Sequence, residues 1–483
     1  DMWLDEALTV NIARLPLSQL HGALRRDGAP PLYYVLLHFW MGAFGTSDGA
    51  VRALSGILSC ATLPFVWVAG RCLGGRRVAA SALVIVASSP FAVRYATENR
   101  MYALVIFLTA AGIVAIQRGV RRPTPWNLAA LAVLAGLLLY SHYWSIYLVG
   151  VTFLWLVFQA WRGPESRRRG ARACMVAVVV GCLTFLPWLP TFVFQSRHTG
   201  TPWATPANFA AMVNAITSFA GGATSQGRAL ALLYFALAGL GLFGLAKGLF
   251  HVDLDLRTRP PGRPFALITA GTLAAAIVGG YASASAFQAR YASVVLVPLV
   301  LLVALGMSVF ADRRIRTGVL AATVAFGLAG AVPNIWTSRT QAGQVAKALR
   351  AEARPGDIVA FCPDQIGPSV SRLVPEGRYR MITFPRGSSP EFVDWVDYAK
   401  ATHAGNPGEF AGRLEQMRAP NHDVFLVWAP GYQTYGTKCE GLDIALSEDH
   451  ALVPSEVFPY KQVNDSWITY EEMELVRFSP AAP

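Results

Sequence analysis

Two adjacent carboxylates stand at the start of this chain, before its first long apolar segment. They are Asp5 and Glu6, in the stretch Asp1–Glu6. A positioned carboxylate can act as a general base that takes a proton from a hydroxyl group. It can equally be a solvated residue in the first turn of a helix, where the helix dipole favours negative charge. Both interpretations stay open on these residues alone.

Arginine forms two further clusters that could do chemistry. Arg94 and Arg100 flank Glu98, and Arg290 stands at the mouth of a later apolar segment. A planar guanidinium donates two parallel hydrogen bonds, which suits recognition of a phosphate group. An ordinary surface ion pair between Glu98 and Arg100 is the alternative interpretation of the first cluster.

Histidine and aromatic residues complete the candidate set. His142 lies in a Tyr-Ser-His-Tyr-Trp stretch and is interpreted as an interfacial residue or as a catalytic residue. Pro30 and Pro31 stop a helix before a pair of tyrosines. Aromatic rings there suit the membrane interface or the face of a sugar ring or an isoprenoid chain. The candidates for substrate binding are Tyr33, Tyr34, Tyr102, Tyr143 and Tyr291.

Ten apolar runs separate these clusters and must position them. The chain has 483 residues, of which 54% are hydrophobic and 14% are charged, whereas soluble proteins carry about 25% charged residues. Runs of roughly 18 to 23 residues can cross a bilayer core as helices. This pattern indicates a polytopic α-helical membrane protein rather than a large soluble helical core. The runs fall near 51–71, 78–93, 101–117, 126–142, 144–161, 173–194, 228–249, 264–285, 291–310 and 316–333.

Arginine-rich segments occur at every second connection between the runs. By the positive-inside rule these connections face the cytoplasm. They begin near Arg71, Arg118, Arg162, Arg257 and Arg313. The acidic, arginine and histidine candidates then share the opposite, outward face, together with the turn at Ala286–Arg290. An outward start implies one more span ahead of Asp1, which would give about eleven.

Three regions follow from this organisation. Residues 1–50 are expected to form an extracytoplasmic first loop that carries Asp5, and residues 51–335 form the transmembrane core. Within the first loop, the pattern predicts short amphipathic helices at Leu4–Arg14 and Leu17–Leu24 and an interfacial helix within Pro31–Phe44.

Residues 336–483 regain charged residues and are predicted to fold as an extracytoplasmic α/β domain. Cys362 and Cys439 of this region either form a disulfide in an oxidising compartment or remain two buried thiols. This region contains no GxGxxG or Walker A nucleotide-binding motif. The predicted elements are a helix at Thr340–Ala353, strands at Asp357–Cys362, Arg380–Phe384 and His422–Ala429, and an edge strand at Trp467–Phe478.

The order of several short motifs resembles that of the bacterial GT-C glycosyltransferases. The resemblance is to the family 39 and aminoarabinose-transferase-like group, relatives of the protein O-mannosyltransferases, and it covers residues 1 to about 335. The motifs are Leu4-Asp5-Glu6-Ala7, Pro30-Pro31-Leu32-Tyr33-Tyr34, Val51-Arg52-Ala53-Leu54, Ser89-Pro90, Glu98-Asn99-Arg100-Met101-Tyr102 and Arg290-Tyr291.

This resemblance implies a GT-C fold, a polyprenyl-phosphate sugar donor and inversion at the anomeric carbon. It implies that Asp5, with Glu6 beside it, is the catalytic base. Charge on the leaving phosphate would be stabilised by preorganised cations. The expected donor ligands are Arg100, Arg290, His142 and Arg94, and Glu98 and the five tyrosines are expected to contact substrate. Some GT-C enzymes use a divalent cation with a DxD-like motif, whereas this chain has Asp-Glu. We therefore expect no metal or other cofactor to be required, although a divalent ion stays open.

We hypothesise a multi-pass plasma-membrane glycosyltransferase that acts on the outer face. It would move mannose or a pentose such as arabinose onto a cell-envelope glycan or lipid. Its expected partners are the donor, the acceptor and membrane lipids, with no nucleic acid despite a net charge of +12. The alanine-, glycine- and arginine-rich composition is compatible with a high-GC actinobacterium. The alternatives are protein O-glycosylation, a lipid or solute transporter or flippase, and a membrane anchor for the C-terminal region.

Overall fold

In the residues that the structure describes, ten helical segments of the membrane region coincide with the ten predicted apolar runs. The computed structural model describes residues 1–200, 208–283, 287–448, 452–460 and 471–481. Eight helices in this part of the chain are long and apolar enough to cross a membrane, judged by length and composition. One of them, Asp48–Ser88, is two segments, because Gly74 and Gly75 have non-helical backbone between them. The apolar helix Pro125–Ser141, of 17 residues, adds the tenth segment.

Three short helices precede the membrane bundle: α1 (Leu4–Arg14), α2 (Leu17–Asp27) and α3 (Leu32–Phe44). They lie where the sequence predicts short helices, and α2 continues three residues beyond the predicted end. Gly28 ends α2 in the left-handed conformation, with φ of +87°, which glycine adopts without steric cost. Helix α1 is almost wholly buried because it packs against α3 and against the C-terminal domain.

The core helices follow in chain order. They are α4 (Asp48–Ser88), α5 (Pro90–Ala96), α6 (Tyr102–Arg121), α7 (Pro125–Ser141), α8 (Ser145–Arg162), α9 (Glu165–Leu183), α10 (Leu189–His198), α11 (Phe209–Phe219), α12 (Ser225–Phe243), α13 (Arg263–Ser283), α14 (Leu296–Met307), α15 (Arg313–Ala331) and α16 (Pro333–Trp336). Short 3₁₀ helices at Leu186–Trp188 and Ala289–Val295 lead into α10 and α14. An antiparallel hairpin, β1 (Gly244–Ala246) and β2 (Val252–Leu254), lies between α12 and α13. The predicted turn at 286–290 begins at a residue outside those that the structure describes.

Helix α14 lies at the centre of the bundle, where all of its residues are buried. It packs against α4 and α12. A Cβ atom on Gly306 would lie only 1.8 Å from the carbonyl oxygen of Leu237 in α12. Small residues therefore allow these two backbones to approach closely, as is common between membrane helices. Peripheral helices instead expose large apolar side chains, such as Phe158 and Trp161, which suits contact with lipid.

The described residues of the C-terminal region form a five-stranded mixed sheet with helices. Its strands are β3 (Ile358–Cys362), β4 (Arg380–Thr383), β5 (Val424–Trp428), β6 (Leu452–Phe458) and β7 (Glu474–Pro480). Their order is β4-β3-β5-β7-β6, in which β3 is parallel to β4 and β5, and β7 is antiparallel to β5 and β6. The helices are α17 (Ala342–Glu352), α18 (Gly367–Ser371), α19 (Tyr398–Ala404), α20 (Pro407–Met417) and α21 (Lys438–Ser447), with a 3₁₀ helix at Asp364–Ile366.

The observed sheet differs from the prediction in the position of its final strand and in having one further strand, β6. The final strand, β7, lies inside the sheet rather than at its edge, because β6 pairs with its outer side. Residues 467–470 of the predicted edge strand lie outside the described part of the chain. Cys362 at the end of β3 and Cys439 in α21 form a disulfide with a Cα–Cα distance of 5.4 Å. Of the two alternatives for these cysteines, the structure has the bonded one.

Glu471 connects the C-terminal domain to α1. Its Oε1 accepts a hydrogen bond from the Leu4 backbone N–H at 2.5 Å, and its Oε2 accepts one from Thr340 Oγ1 at 2.6 Å. The first N–H groups of a helix have no partner within that helix, and the preceding residue, Trp3, supplies no side-chain cap to α1. Glu471 therefore caps α1 from a distant part of the chain. Burial raises the pKa of Glu471 to about 8.

This pKa makes the stability of the protein depend on pH. An unfolded glutamate titrates near a pKa of about 4.3, so between that value and about 8 the folded state retains a proton that the unfolded state has lost. The contribution is complete below the unfolded value and is lost as the pH rises through the folded value. We expect the thermal unfolding midpoint of the detergent-solubilised protein to fall between about pH 5 and 8 more steeply than that of Glu471→Gln. Parallel slopes for the two proteins would contradict this assignment.

Candidate active site

A cavity of about 420 Å³ lies where the first loop, the membrane bundle and the C-terminal domain meet. The first loop contributes Asp5 and Asp27, and the C-terminal domain contributes Trp395. The bundle contributes residues at the ends of α6, α7, α8, α10 and α13 and in the 3₁₀ helix before α14. The cavity is large enough for a small organic ligand.

Asp5 faces two arginines in this cavity. Its Oδ2 accepts a hydrogen bond from Arg290 Nη1 at 3.0 Å and lies 3.8 Å from Arg100 Nη2. Arg100 Nη1 also donates to Thr9 Oγ1 at 2.9 Å and to the Asp5 backbone oxygen at 3.3 Å. Burial opposes the charge of Arg100, but Asp5 lies so close that the pKa of Arg100 stays well above its usual value. One carboxylate between two guanidiniums leaves the group with a net positive charge.

His142 lines the cavity in its neutral form. Burial, followed by the charges of Arg100 and Arg290, lowers the pKa of His142 to about 3. The Trp144 backbone N–H donates to its Nδ1 at 3.1 Å, so the proton of the neutral ring resides on Nε2. His142 can therefore donate one hydrogen bond through Nε2. Its ring is flanked by those of Tyr102 and Tyr291, at centroid distances of 5.8 and 5.2 Å.

Three of the five predicted tyrosines, Tyr102, Tyr143 and Tyr291, line the cavity. The Tyr143 hydroxyl group accepts a hydrogen bond from Trp188 Nε1 at 3.0 Å and donates one to Gln195 Oε1, which fixes its position. The Tyr34 hydroxyl lies behind the wall and donates to Asp27 Oδ2 at 2.7 Å.

Four other predicted site residues lie outside the cavity lining, in a buried polar cluster. Glu6 is fully buried. It accepts hydrogen bonds from Arg52 Nε and Nη2, at 2.8 and 2.6 Å, and from the Asn99 backbone N–H at 2.9 Å. The structure thus separates Glu6 from Asp5, although they are neighbours in sequence.

Glu98, Arg94 and Tyr33 complete this cluster. Glu98 accepts a hydrogen bond from Arg94 Nε at 3.0 Å and lies 3.6 Å from Arg339, which is also 3.6 Å from Glu6. Tyr33 donates from its hydroxyl group to Asn99 Oδ1 at 2.9 Å. The cluster joins α1, α3, α4, the connection between α5 and α6, and the entry into the C-terminal domain. These contacts are suited to holding the cavity wall in place.

Asp27, Gln195 and Trp395 line the cavity but were not assigned to a site from the sequence. Asp27 falls in a polar segment that separates two helices, which is common in surface loops. Gln195 is a polar residue near the end of an otherwise apolar run, which is a weak signal. Trp395 reaches the cavity only through the tertiary packing of the C-terminal domain, which no local pattern indicates. In the described part of the chain, no three His, Cys, Asp or Glu side chains are grouped as metal ligands.

Comparisons with known proteins agree with this architecture. Residues 28–188 match the family described as dolichyl-phosphate-mannose-protein mannosyltransferase. That segment is a third of the chain and contains Arg100 and His142, whereas Asp5 and Arg290 lie outside it. A search of curated protein sequences gives no significant match.

Solved structures extend the similarity over almost the whole chain. ArnT from Cupriavidus metallidurans in the apo state has a TM-score of 0.57 at 12% identity, over 98% of this chain and 93% of that one. The same protein bound to undecaprenyl phosphate has a TM-score of 0.53 at 13% identity, with the same coverage. Arabinofuranosyltransferase AftD from Mycobacteria has a TM-score of 0.52 at 14% identity, over 99% of this chain and 39% of that one. The chain is therefore a multi-pass membrane protein with the predicted GT-C fold.

The buried cluster predicts a large stability effect at Glu6. Glu6→Gln removes the charge that balances Arg52 and Arg339, and breaking a buried ion pair costs about 3 kcal/mol or more. We expect a clear fall in the thermal unfolding midpoint of the detergent-solubilised protein. Glu376→Gln, at an exposed glutamate of the C-terminal domain, is the matched control and should leave the midpoint unchanged. Equal midpoints for the two variants would show that the cluster contributes little to stability.

Proposed function

We propose that this protein is an inverting glycosyltransferase that moves a sugar from a polyprenyl-phosphate donor to an acceptor hydroxyl group. The observation that carries the proposal is the position of Asp5, 3.0 Å from Arg290 and 3.8 Å from Arg100, in a cavity bordered by membrane helices. Two arginines suit a phosphate, and a carboxylate suits a base. The shared fold with ArnT, which has been solved with undecaprenyl phosphate, supports this class of donor.

The proposed donor would enter from the bilayer. Ile146 and Tyr147 of α8 and Phe192 of α10 line the cavity beside the core helices, and Ile146 is exposed on the bundle surface. An apolar border of this kind suits an isoprenoid chain, which stays in the membrane. Its phosphate would then lie at Arg100 and Arg290.

The reaction is a direct displacement at the anomeric carbon. Asp5 takes the proton of the acceptor hydroxyl group while that oxygen forms a bond to C1 of the sugar. The bond from C1 to the phosphate oxygen breaks at the same time, and its electron pair leaves with the polyprenyl phosphate. Arg100 and Arg290 stabilise the charge of that leaving group, and His142 donates from Nε2. The stereochemistry at C1 is inverted because the acceptor attacks the opposite face.

Arginine provides the cationic charge in this proposal. Arg100 and Arg290 face the Asp5 carboxylate. A bound donor phosphate would draw hydrogen bonds from both guanidiniums and leave Asp5 oriented toward the acceptor. The site as proposed uses no metal ion or other cofactor.

The predicted site residues divide into two groups in this proposal. Asp5, Arg100, Arg290, His142 and the cavity tyrosines contact substrates. Glu6, Glu98 and Arg94 hold α1 and the α5–α6 connection in place, so that Asp5 alone is the base.

We infer that the cavity and the C-terminal domain face the outside of the plasma membrane. The support is the positive-inside rule, because arginine-rich connections lie at the end of the bundle opposite the cavity. The acceptor would then be a cell-envelope glycan or lipid, and the sugar mannose or a pentose such as arabinose. The family match over residues 28–188 favours transfer to a protein hydroxyl group as the second candidate.

Substitution of Asp5 tests the chemistry. Asp5→Asn keeps the size of the side chain but removes the base, and loss of a general base costs about 10²- to 10⁴-fold in rate. Purified protein would be given radiolabelled polyprenyl-phosphate mannose or arabinose with envelope glycans, envelope lipids or hydroxyl-containing peptides. We expect label to reach one acceptor class with the wild type and to fall at least 100-fold with Asp5→Asn.

The matched control is Asp48→Asn, at the first residue of α4, which does not line the cavity. It should keep wild-type activity. Transfer by Asp5→Asn at the wild-type rate would rule out this mechanism, and label on peptides alone would favour the second candidate.

Cysteine labelling tests the orientation. Single cysteines would replace Arg168 or Glu376 in a protein whose free cysteines are changed to serine. An impermeant thiol reagent should label position 376 in intact cells and position 168 only after permeabilisation. Labelling of both positions from the same side would overturn the topology. The free cysteines are Cys60, Cys72, Cys174 and Cys182.

A further inference from the structure

We propose that Asp27, Thr199 and Trp395 form the acceptor subsite, which binds a sugar ring of a glycan through its hydroxyl groups and its apolar face. All three residues line the cavity that contains Asp5. The inference rests on the proposed glycosyl transfer, and it adds the chemical class of the acceptor and the part of the cavity that binds it.

Asp27 has an oxygen positioned for a ligand. The Tyr34 hydroxyl group donates to Oδ2 at 2.7 Å, which fixes the orientation of the carboxylate. Within the residues that the structure describes, no hydrogen bond to Oδ1 is formed. A carboxylate oxygen accepts strong hydrogen bonds from hydroxyl groups. Asp27 therefore suits recognition of a polyol better than of an anion, which its charge would repel.

Thr199 lies beside Asp27 because α2 and α10 end together. A Cβ atom on Gly28, the residue after Asp27, would lie 2.7 Å from Thr199 Oγ1, so glycine permits this close approach. Gln195 Nε2 donates to the Leu24 backbone oxygen in α2 at 2.7 Å. These contacts hold a hydroxyl group and a carboxylate side by side.

Trp395 adds an aromatic surface from the C-terminal domain. Its backbone N–H donates to the Arg26 carbonyl oxygen at 3.2 Å, next to Asp27. Asp397, two residues later, donates from its backbone N–H to the His198 carbonyl oxygen at 2.8 Å. The Trp395 ring packs against Tyr398 at a centroid distance of 4.7 Å. A large apolar ring with a polar edge is complementary to a sugar, which has C–H faces and a rim of hydroxyl groups.

The position of this group favours the acceptor over the donor. Helix α10 begins at Leu189 and ends at His198, and Phe192 near its start and Thr199 beyond its end are about 10 Å apart along the axis. Phe192 packs against Tyr143 and Phe185 of the bundle, on the side of the cavity where we place the donor lipid. Thr199, Asp27 and Trp395 are at the side covered by the C-terminal domain, from which a water-soluble glycan would arrive.

Steady-state kinetics with Asp27→Asn test the subsite. Asparagine can still accept the hydrogen bond from Tyr34, so the local structure should be kept. Loss of a hydrogen bond to a charged group should raise the KM for the glycan acceptor by about tenfold or more. The KM for the polyprenyl-phosphate sugar should stay at its wild-type value. Asp253→Asn, in the hairpin at the opposite end of the bundle, is the matched control.

A second variant pair tests the aromatic surface independently. Trp395→Ala should raise the KM for the acceptor at least as much as Asp27→Asn does. Trp395→Phe should recover part of the lost affinity because it restores an aromatic face. A rise in the donor KM in these variants, or an unchanged acceptor KM, would overturn the assignment. If the Asp27→Asn variant transferred sugar to peptides with the same peptide KM as the wild type, that result would also overturn the assignment of a glycan subsite.

A different result would show that the proposed glycosyl transfer itself, rather than the acceptor subsite, is wrong. In that case the wild type transfers no label from any polyprenyl donor. Binding of manno- and arabino-oligosaccharides would then be measured by calorimetry. Binding by the wild type that weakens in Asp27→Asn and in Trp395→Ala would support the subsite, whereas equal binding or none would overturn it.

Discussion

The fully buried carboxylate of Glu6 is the constraint on which the rest of the structure depends. A charge removed from water costs several kcal/mol unless opposite charge and hydrogen bonds surround it. Glu6 obtains both from Arg52 in α4, from the Asn99 backbone and from Arg339 at the entry to the C-terminal domain. These partners belong to different parts of the chain. They have to converge for Glu6 to be buried, so one ionic cluster joins the first loop, the bundle and the domain.

The same cluster explains why Asp5 and Glu6, which are adjacent in sequence, have different surroundings. Successive residues of a helix point about 100° apart, so when Glu6 points into the cluster, Asp5 points into the cavity. Asp5 keeps 13% of its side chain exposed and is paired with Arg100 and Arg290. Its neighbour has no access to a ligand. Glu471 further restricts rotation of α1, because its Oε1 accepts a hydrogen bond from the Leu4 backbone N–H at 2.5 Å. The position of the proposed base is therefore fixed from both ends of the first turn.

Local sequence patterns predict the membrane helices and much of the charged site. Apolar length and charge alternation depend only on nearby residues, which is why the runs and the shared position of Asp5, Arg100, His142 and Arg290 follow from them. The place of β7 inside the sheet depends on a partner strand, β6, that carries no clear signal. Asp27 and Trp395 meet through contacts between residues 26 and 395. From the sequence alone, Glu6 and Arg94 resemble site residues. A charged residue has the same local sequence pattern whether its side chain is buried in an ion pair or exposed to a ligand.

The C-terminal domain is thus part of the cavity rather than an appendage. Glu471 holds the helix that carries Asp5, Arg339 supports the buried cluster, and Trp395 forms part of the wall. A membrane bundle alone could present the two arginines to a lipid phosphate, because they lie at helix ends. It would lack the cap that orients the carboxylate and the aromatic surface beside Asp27. In the proposed reaction, the bundle would supply the electrostatics for the lipid-linked group, and the domain would determine what approaches that group from the water.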